Sequence, residues 1–507
     1  MRDNVVQIDG MKGIQINEIT FHKGVNEHGR ATIKCTTDKK ELKEIISDDD
    51  GMAWVAIKIG EKEDEEAKKT IFTGVIDTIS LENCESLEKI KKVTVNLVGA
   101  TYLLDIKKET RTFQNGDTKL SEIKANIKEN FKNNIKNANI MINNGKGLND
   151  SEQPESKMLI QYLETDYEFL KRVASMNNHP LITVAADSDD TGVSLNIGLM
   201  ADGGSGSIDT KIYKSEKNIL SSLVAKKLGV ENVSEKDYQM IEVRTREYFE
   251  LGSKVSIDGK SLYVHSVDSM WGVKSKEDIV TWVGSEDESN CSSSVFYHIY
   301  KLAEEKRFKV PQIYNEKMIG ASLSAKVKEV KKEKLKIKFD CDVDSKGAPI
   351  NVKDPREFTF ATVYTSQDGT GWYCMPEEDD EVRLYMPTED ESDAYVISAV
   401  HLEGGADRDN PDIKFIRNKF KKEIRFEEKK LQITNNNGMD IVIDDDKGII
   451  IKSNKEISLS SKKDVTLLSK SGKMDLVGNK EVLLKQGGSA SITLNSKVDF
   501  KAPNIKM

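Results

Sequence analysis

The first 310 residues alternate short apolar-rich runs with polar or glycine-bearing turns, a pattern that predicts strands. β-branched and aromatic residues are concentrated in four early runs, at positions 14–20, 31–35, 54–59 and 70–79. Further runs at 205–215 and 243–266 predict a second β-rich lobe. We therefore expect this region to be mainly β and to contain two lobes.

Helical spacing interrupts the strand pattern at a few places. Apolar positions spaced by three or four residues over 119–135 predict an amphipathic helix. A second helix is predicted over 166–176, because Thr165 is a good N-cap residue and Glu168 stands where a capping box needs a carboxylate. We also expect a helix over 291–306 that closes the second lobe.

A denser group of short strands follows from position 318. Its members are separated by turn signals such as Gln367-Asp368-Gly369, and they lie at 321–330, 335–339, 358–364, 371–375, 381–386 and 395–401. Five or six strands in so short a segment are typical of a small barrel of the OB type. The sequence therefore predicts an OB-fold domain over 318–405.

The last part of the chain is a repeat. Apolar pairs at positions i and i+2 begin at intervals of 8, 8, 8, 9 and 8 residues, with polar turn residues between them. The twelve residues of these pairs are Ile441, Ile443, Ile449, Ile451, Ile457, Leu459, Val465, Leu467, Met474, Leu476, Val482 and Leu484. A period near eight is too short for a helical solenoid and fits one strand plus one turn.

Each eight-residue repeat carries too little apolar surface to fold alone, so the repeats must stack. With two or three inward positions per repeat, one chain is not expected to enclose a core. Several chains wrapped about a shared axis could do so, and the twelve paired residues would then form a common core. The alternative is a β-meander of a single chain with surface hairpins.

Composition excludes several classes of protein. The 507 residues include 76 basic and 85 acidic side chains, for a net charge of −9, and this acidity opposes binding to nucleic-acid phosphates. No apolar run approaches the roughly 18 residues that span a bilayer. The polar start, Met1-Arg2-Asp3-Asn4, argues against a secretory signal peptide. From 421 to the end the balance is reversed, with 17 basic and 12 acidic residues.

Residues that carry catalysis or bind metals form no recognisable motif in the sequence. The five cysteines are far apart and odd in number, and no two of the six histidines lie within five residues of each other. Nucleophile-elbow, P-loop and dinucleotide-binding signatures are absent. Acidic runs such as Asp444-Asp445-Asp446 lack the spacing of a calcium loop. We therefore expect no catalytic residue, no metal ligand and no cofactor.

Seven segments of the first 400 residues resemble sequence motifs of a known protein family, and we call them the family-like motifs. They are Asn-Glu-His-Gly-Arg-Ala at 26–31, Phe-Thr-Gly-Val-Ile at 72–76, Arg-Thr-Phe-Gln-Asn at 111–115, the stretch at 161–172, Leu-Lys-Ile-Lys-Phe at 335–339, Gly-Trp-Tyr at 371–373 and Asp-Glu-Val at 380–382. The stretch at 161–172 follows the pattern Q-Y-x-E-x-D-x-x-F-L-x-R. In this order the segments resemble the VgrG family, the hub-and-spike proteins of contractile injection systems, and its relatives in contractile phage tails. Asp379 stands where that family usually has glycine.

The resemblance implies a homotrimer that is mainly β with minor α. A hub of two β-barrel lobes with helical insertions would cover 1–310, an OB-fold barrel 318–405, and an intertwined trimeric β-helix, the spike, 421–507. The implied function is structural and not enzymatic: the protein caps the inner tube and pierces a target envelope when the apparatus contracts. We expect neither an inserted lysozyme domain nor an effector domain.

The resemblance also implies partners. They are two further copies of the chain, inner-tube and baseplate proteins, a PAAR-type tip protein, effector cargo and the target cell envelope, but not nucleic acid. Val498, Phe500 and Ile505 would leave an apolar surface at the end of the spike, and this is the predicted interface with the tip protein. The protein would assemble in the cytoplasm as part of a phage tail, a bacteriocin-like particle or a secretion system.

Three other functions stay open at this point. A tail-associated enzyme that degrades the cell wall would need a pair of carboxylates in a groove. An OB-fold nucleic-acid-binding protein could use Tyr364, Trp372 and Tyr373, although the acidic run at 377–381 opposes phosphate binding. An adhesin stalk would share the trimeric β-helix but normally carries a signal peptide.

Overall fold

The computed structural model divides the chain into two compact units, Met1–His401 and Leu402–Met507. The residues that it describes are 4–46, 53–61, 69–83, 90–114, 118–136, 138–150, 158–185, 192–200, 206–209, 213–272, 296–343, 347–350, 352, 355–401 and 408–504. Strands make up 46% of the structure and helices 14%, which confirms the prediction of a mainly β protein. The division into three domains stays a prediction.

The first unit contains three helices and 22 strands within the described residues. The helices are α1 (Leu120–Asn134), α2 (Asp166–Met176) and α3 (Ile219–Lys227). The strands are β1 (Asn4–Asp9), β2 (Ile14–Gly24), β3 (Arg30–Thr37), β4 (Trp54–Glu61), β5 (Lys69–Asn83), β6 (Lys91–Gly99), β7 (Lys108–Phe113), β8 (Asn139–Asn144), β9 (Leu159–Thr165), β10 (Leu181–Thr183), β11 (Gly192–Ile197), β12 (Gly206–Ser207), β13 (Tyr213–Lys217), β14 (Gln239–Thr245), β15 (Lys254–Ile257), β16 (Lys260–Trp271), β17 (Tyr297–Ala303), β18 (Ser322–Lys331), β19 (Lys334–Phe339), β20 (Glu357–Thr359), β21 (Glu381–Tyr385) and β22 (Tyr395–Ile397).

The second unit consists of strands alone in the described residues. They are β23 (Lys414–Arg417), β24 (Glu423–Glu427), β25 (Lys430–Thr434), β26 (Asp440–Asp444), β27 (Gly448–Lys452), β28 (Val482–Gln486), β29 (Ala490–Leu494) and β30 (Val498–Lys501).

A twelve-stranded sheet organises the first part of the chain. Its main order is β1-β4-β5-β6-β3-β2-β16-β17-β14-β13, and β15 pairs with β16 and with β12. The four early runs of the sequence lie in β2 to β5, as predicted. Alternation along β3 buries Ala31, Ile33 and Cys35 in the core. The antiparallel pairing of β2 with β16 joins the two predicted lobes into one sheet.

Helices α1 and α2 cover a second core. α1 buries Ile123, Ile127 and Phe131 in it, so the predicted helical periodicity is confirmed. The hydroxyl of Thr165 accepts the N–H of Glu168 at 3.0 Å, and the Glu168 carboxylate accepts the N–H of Thr165 at 3.0 Å. This reciprocal pair is the predicted capping box, and it fixes the first residue of α2.

The OB-like region is a five-stranded sheet in the order β20-β19-β18-β21-β22. Its core includes Val327, Ile337 and Leu384. The two edges meet at one isolated bridge, where the N–H of Ala361 donates to the carbonyl of Val396 at 2.8 Å. Apart from this bridge, no closed barrel is found in the described part of the chain, where the hub and the OB domain were predicted to be barrels.

Some local predictions are wrong. Within the helix expected over 291–306, residues Tyr297–Ala303 form β17, because they pair with β14 on one side and β16 on the other; residues 291–295 lie outside the described residues. Residues 371–375 form no strand, and only Gly371 makes a bridge, to Thr365. Helix α3 has no counterpart in the sequence prediction.

Arg172 forms a buried ionic junction between α2 and the OB-like region. It is 1% exposed, and its guanidinium donates to both carboxylate oxygens of Glu164 at 2.8 and 2.9 Å and to Glu391 at 2.9 Å. It also donates to the carbonyl of Ile160 at 2.7 Å. Burial alone would lower the pKa of Arg172, but hydrogen bonds and charge from Glu164 and Glu391 raise it.

Other residues of the family-like motifs make a second polar layer at this junction. Arg111 donates to Gln161 at 2.7 Å and contacts the Asp166 carboxylate. Asp342, just after β19, accepts the N–H of Thr112 at 2.8 Å and its hydroxyl at 2.5 Å. Burial raises the pKa of Asp342 despite these donors. The motifs therefore connect strands β7 and β9 to the OB-like region through hydrogen bonds.

We expect the substitution Arg172→Met to lower the free energy of unfolding by about 3–5 kcal/mol, because it leaves Glu164 and Glu391 buried without a counter-charge. Urea unfolding followed by tryptophan fluorescence measures this. Arg383→Met, on the exposed side of β21, is the matched control and should change stability by less than about 0.5 kcal/mol. A loss at position 172 no larger than the control's would refute the structural importance of the junction.

His22 links β2 to β16 across the seam between the lobes. Its Nδ1 lies 2.7 Å from the Asp268 carboxylate, and its Nε2 lies 3.3 Å from the Glu27 carboxylate. The hydrogen bond with Asp268 raises the pKa of His22 above its ordinary value of 6.5, against the opposing effect of partial burial.

This contact should make stability depend on pH. Because the folded pKa of His22 is the higher one, its stabilisation is fully present below pH 6.5 and disappears as pH rises through the folded pKa. We expect His22→Gln to lower the urea midpoint at about pH 5.5 and to leave it nearly unchanged at about pH 8.5. Asp268→Asn should remove the same pH-dependent difference. An equal loss at both pH values contradicts the assignment.

Candidate functional site

The strands β23 to β27 form an antiparallel meander. Across the β26–β27 hairpin, Ile441 faces Ile451 and Ile443 faces Ile449, so two apolar pairs of the repeat lie opposite each other. Gly448 follows the turn with a φ of +82°, which glycine adopts without steric cost. In this part of the repeat, the period of eight is one strand plus one turn.

One face of this five-stranded sheet is apolar from edge to edge. The register places nine large apolar side chains on it: Ile416, Ile424, Phe426, Leu431, Ile433, Ile441, Ile443, Ile449 and Ile451. All but Leu431 are exposed, from 38% at Ile424 to 72% at Ile449. We call this surface the apolar face. A contiguous exposed surface of this kind marks an interaction site.

On strands β23 and β24 the opposite face of the same sheet is charged, and its charges are paired within the chain. Glu423 accepts from Arg417 at 2.7 Å and from Arg425 at 3.2 Å, and Arg425 also donates to Glu427 at 2.7 Å. The hydrogen bond from Arg417 lowers the pKa of Glu423. This part of the opposite face is therefore suited to water, whereas on β26 and β27 the same face carries Val442 and Ile450.

Three pairs of the repeat lie where the chain forms no strand. Residues 453–481 are all described, and none of them belongs to a strand or a bridge. The apolar residues of these pairs are 49–75% exposed, and they are Ile457, Leu459, Val465, Leu467, Met474 and Leu476. Their backbone groups take part in no ladder within the chain. These repeats therefore lack both a core and strand partners.

The last three strands continue the pattern. The register of β28, β29 and β30 places one set of apolar residues on a common face: Val482, Leu484, Ile492, Leu494, Val498 and Phe500. An open hollow of about 430 Å³ lies on it, lined in part by Leu484, Ile492 and Phe500. Val498 and Phe500 are exposed, and Ile505 lies outside the described residues. The predicted tip residues thus share a face with the predicted core residues Val482 and Leu484.

The twelve residues predicted as a shared core do not form a core within one chain. Eleven of them are exposed and Val482 is half-buried. For the six of them that lie in strands, the pairs on neighbouring strands lie opposite each other on one side of each sheet. Within the described residues this side stays exposed.

The acidic run at 444–446 stabilises a hairpin turn. The Asp444 carboxylate accepts the N–H groups of Asp446 and Lys447 at 3.1 and 2.9 Å, so the acidic run closes a hairpin. Among all described residues of the chain, no group of three or more His, Cys, Asp or Glu side chains is arranged to hold a metal ion. In the same residues, no helix is long and apolar enough to cross a membrane.

Helix α3 presents a second exposed apolar surface, in the first unit. Four large side chains on it and the C-cap residue are 46–69% exposed, and they are Ile219, Leu220, Leu223, Val224 and Leu228. The sequence prediction did not include this surface. The spacing i, i+1, i+4, i+5, i+9 in the sequence is the signal that could have found it.

Three comparisons place the chain among known proteins. No family model and no curated protein matches it. Among solved structures, the E. coli c3393 protein superposes with a TM-score of 0.50 and 11% identity, over 78% of this chain and 100% of its own. That protein is described as a component of the type VI secretion system with structural similarity to the T4 bacteriophage tail proteins gp27 and gp5.

The Francisella PdpA-VgrG complex in its half-lidded form gives a TM-score of 0.50 and 10% identity over 89% of this chain and 88% of that chain. The lidless complex gives 0.50 and 11%, over 89% and 99%. The chain has the fold of the VgrG-type hub proteins. The sequence resemblance is thereby confirmed at the level of the fold. At such low identity the VgrG-like fold alone does not assign a function, which must be argued from the surfaces described above.

Proposed function

We propose that this chain is the structural hub and spike of a contractile injection apparatus and that it works as a homotrimer. The observation that carries the proposal is the apolar face of the C-terminal strands, which one chain leaves in water. The VgrG-like fold supports it, because one protein with this fold is described as a component of a type VI secretion system. The apparatus would be a phage tail, a bacteriocin-like particle or a secretion system.

Three chains would give the apolar face a partner. Full burial of one Ile, Leu, Val or Phe side chain stabilises a protein by about 1.5–3 kcal/mol, so a repeat with many such residues gains strongly from assembly. In a shared β-helix the unpaired backbone of 453–481 would also find strand partners on neighbouring chains. A chain held in this way cannot leave without breaking contacts along its whole length, and this property suits a rod that transmits force.

The division of labour follows the order of the chain. We assign 1–310 to the hub that caps the inner tube and 421–507 to the spike that pierces a target envelope. The OB-fold domain, 318–405, would form a ring of three copies, which we call the collar. The buried junction of Arg172 with Glu164 and Glu391 supports this assignment, because it would hold hub and collar together under load. The particle would assemble in the cytoplasm with inner-tube, baseplate and cargo proteins.

The surfaces of the first unit favour a structural function over catalysis or nucleic-acid binding. Titratable groups of the family-like motifs such as Arg172 and Arg111 are held in ion pairs within the chain. Trp372 and Tyr373 are exposed, as stacking onto bases would require, but Glu377 and Glu378 beside them are exposed as well. Acidic side chains at this point repel a phosphate backbone.

A pair of double variants tests the trimer. Ile441→Asp/Ile443→Asp places charges on the apolar face, where burial of unpaired carboxylates is very costly. Val442→Asp/Ile450→Asp places the same charges on the opposite face of the same two strands. By native mass spectrometry we expect the wild type and the second variant at three times 56.9 kDa and the first variant at 56.9 kDa.

A wild-type protein that stays at 56.9 kDa at micromolar concentration would exclude the trimer. A trimer in the first variant together with a monomer in the second would show that the wrong face of the sheet was assigned to the interior. Circular dichroism of both variants checks that the first unit keeps its strand content, so that general misfolding is recognised.

The tip interface needs a separate test. We expect Phe500→Asp to abolish co-purification with a PAAR-type protein, because it places a charge beside the hollow at Leu484 and Ile492. Phe500 shares its face with predicted core residues, so native mass spectrometry must also show that the variant remains a trimer, held by the apolar pairs that precede it. Asp499→Asn, on the opposite side of β30, is the control and should bind normally. Unchanged binding by the Phe500 variant would remove this residue from the interface.

A further inference from the structure

The positive charge of the C-terminal unit is confined to its second half. Residues 402–452 contain 11 basic and 11 acidic side chains, so their net charge is zero. Residues 453–507 contain 10 lysines and 5 acidic residues, for a net charge of +5, whereas residues 1–401 carry −14. The chain is therefore electrically polarised along its sequence, and the distal half of the predicted spike is its cationic part.

The lysines of this half stand at the polar segments between the apolar pairs. Lys455 follows the pair at Ile449 and Ile451, and later members of the series are Lys462, Lys463, Lys470, Lys473 and Lys480. All nine lysines in the described part of 453–507 are exposed. Because turns lie outside any arrangement that buries the apolar pairs, these ammonium groups would ring the rod at intervals of about eight residues.

Several of these ammonium groups are free to bind an external anion. Lys473 pairs with Asp475 at 2.9 Å and Lys497 with Asp499 at 3.2 Å. Among the described residues, Lys462, Lys463 and Lys470 have no acidic partner within 4.0 Å. Three such lysines per chain give nine in a trimer, whose distal segment would hold 30 lysines and 15 acidic residues.

The chemistry of the segment indicates a diffuse anionic surface and not a nucleic acid. Residues 453–507 contain no arginine, the residue that recognises phosphates and guanine through paired hydrogen bonds. Phe500 is their only aromatic residue, so they offer no series of rings for stacking bases. Lysine ammonium groups act as point charges and need only a high density of negative charge.

We infer that the distal segment, residues 453–507, binds the anionic phospholipid headgroups of a membrane surface. This inference rests on the proposed function, since the trimer brings three copies of the segment together. A single lysine near an anionic bilayer raises binding by about fivefold, so several lysines around one rod give appreciable affinity. The interaction would hold the end of the spike against a bilayer before the force of contraction arrives.

The test uses the full-length trimer and sedimentation with lipid vesicles. One set contains phosphatidylcholine alone and the other about one-third phosphatidylglycerol, both at about 0.1 M salt. The distal variant is Lys462→Gln/Lys463→Gln/Lys470→Gln. The control is Lys422→Gln/Lys429→Gln/Lys447→Gln, which removes the same charge from the electrically neutral half. A third variant, with arginine at 462, 463 and 470, keeps the distal charge.

We expect the wild type to bind the anionic vesicles at least about a hundredfold more tightly than the neutral ones and to be released at about 0.5 M salt. Because each lysine contributes about fivefold, the loss of three lysines per chain should weaken binding of the distal glutamine variant by at least about a hundredfold. The control should lose less than about twofold, and the arginine variant should bind like the wild type. Equal losses in the distal and control variants, or equal binding to both kinds of vesicle, would overturn the inference. Tighter binding to a single-stranded oligonucleotide than to anionic vesicles would assign the segment to nucleic acid instead.

Native mass spectrometry of all four proteins separates the two proposals. If the wild type is not a trimer, the proposed function fails. If all four are trimers and the distal variant binds anionic vesicles as the wild type does, the trimer stands and only the membrane inference falls.

Discussion

A β-sheet with one apolar and one charged face cannot keep its apolar face in water, and this constraint governs the C-terminal unit. On β23 and β24 the charges of the other face are already paired, because Arg417 and Arg425 share Glu423 within the chain. Among the described residues the apolar face stays uncovered, and large side chains such as Ile449 lie mostly in solvent. An edge strand or a single exposed leucine would need no explanation, but a whole face does. Assembly of several copies, as proposed, would satisfy the constraint with the residues that the chain already has.

The first unit differs from the C-terminal unit, because its large apolar residues are mostly buried within the chain. It buries four hydrophobic clusters of its own, and where helix α2 meets the OB-like region it buries a network of ion pairs around Arg172. An ion pair in the interior stabilises little when compared with apolar packing, but each partner makes the loss of the other costly. Arg172 with Glu164 and Glu391 therefore specifies how two parts of one chain meet. In the C-terminal unit of the proposed trimer, the pattern of apolar residues would instead specify how the chains meet.

The sequence predicted those features whose cause is local or periodic. Thr165 and Glu168 are three residues apart, and their capping box depends on nothing distant, so the start of α2 was predictable. The eight-residue period of the C-terminal repeat likewise revealed its apolar pairs. By contrast, β17 is a strand because β14 and β16 flank it, and a single sequence does not show this pairing. Register was also inaccessible: the sequence separates Val498 from the earlier pairs, but β29 places it on the same face as Val482.

Particular buried residues specify one kind of contact, and a repeated apolar pattern would specify the other. This difference also explains how a VgrG-like fold persists at about 10% identity. The buried junction needs particular residues, because only a guanidinium can satisfy Glu164 and Glu391 together, and the motif at 161–172 accordingly retains a readable pattern. A spike of the proposed kind would need only apolar residues at alternate positions and polar residues at the turns, so its sequence could change widely while the pattern survives. Turn positions would be the least constrained of all, since they would contact neither a core nor a strand partner. They would therefore be the positions at which the charge of the rod could change without altering its assembly.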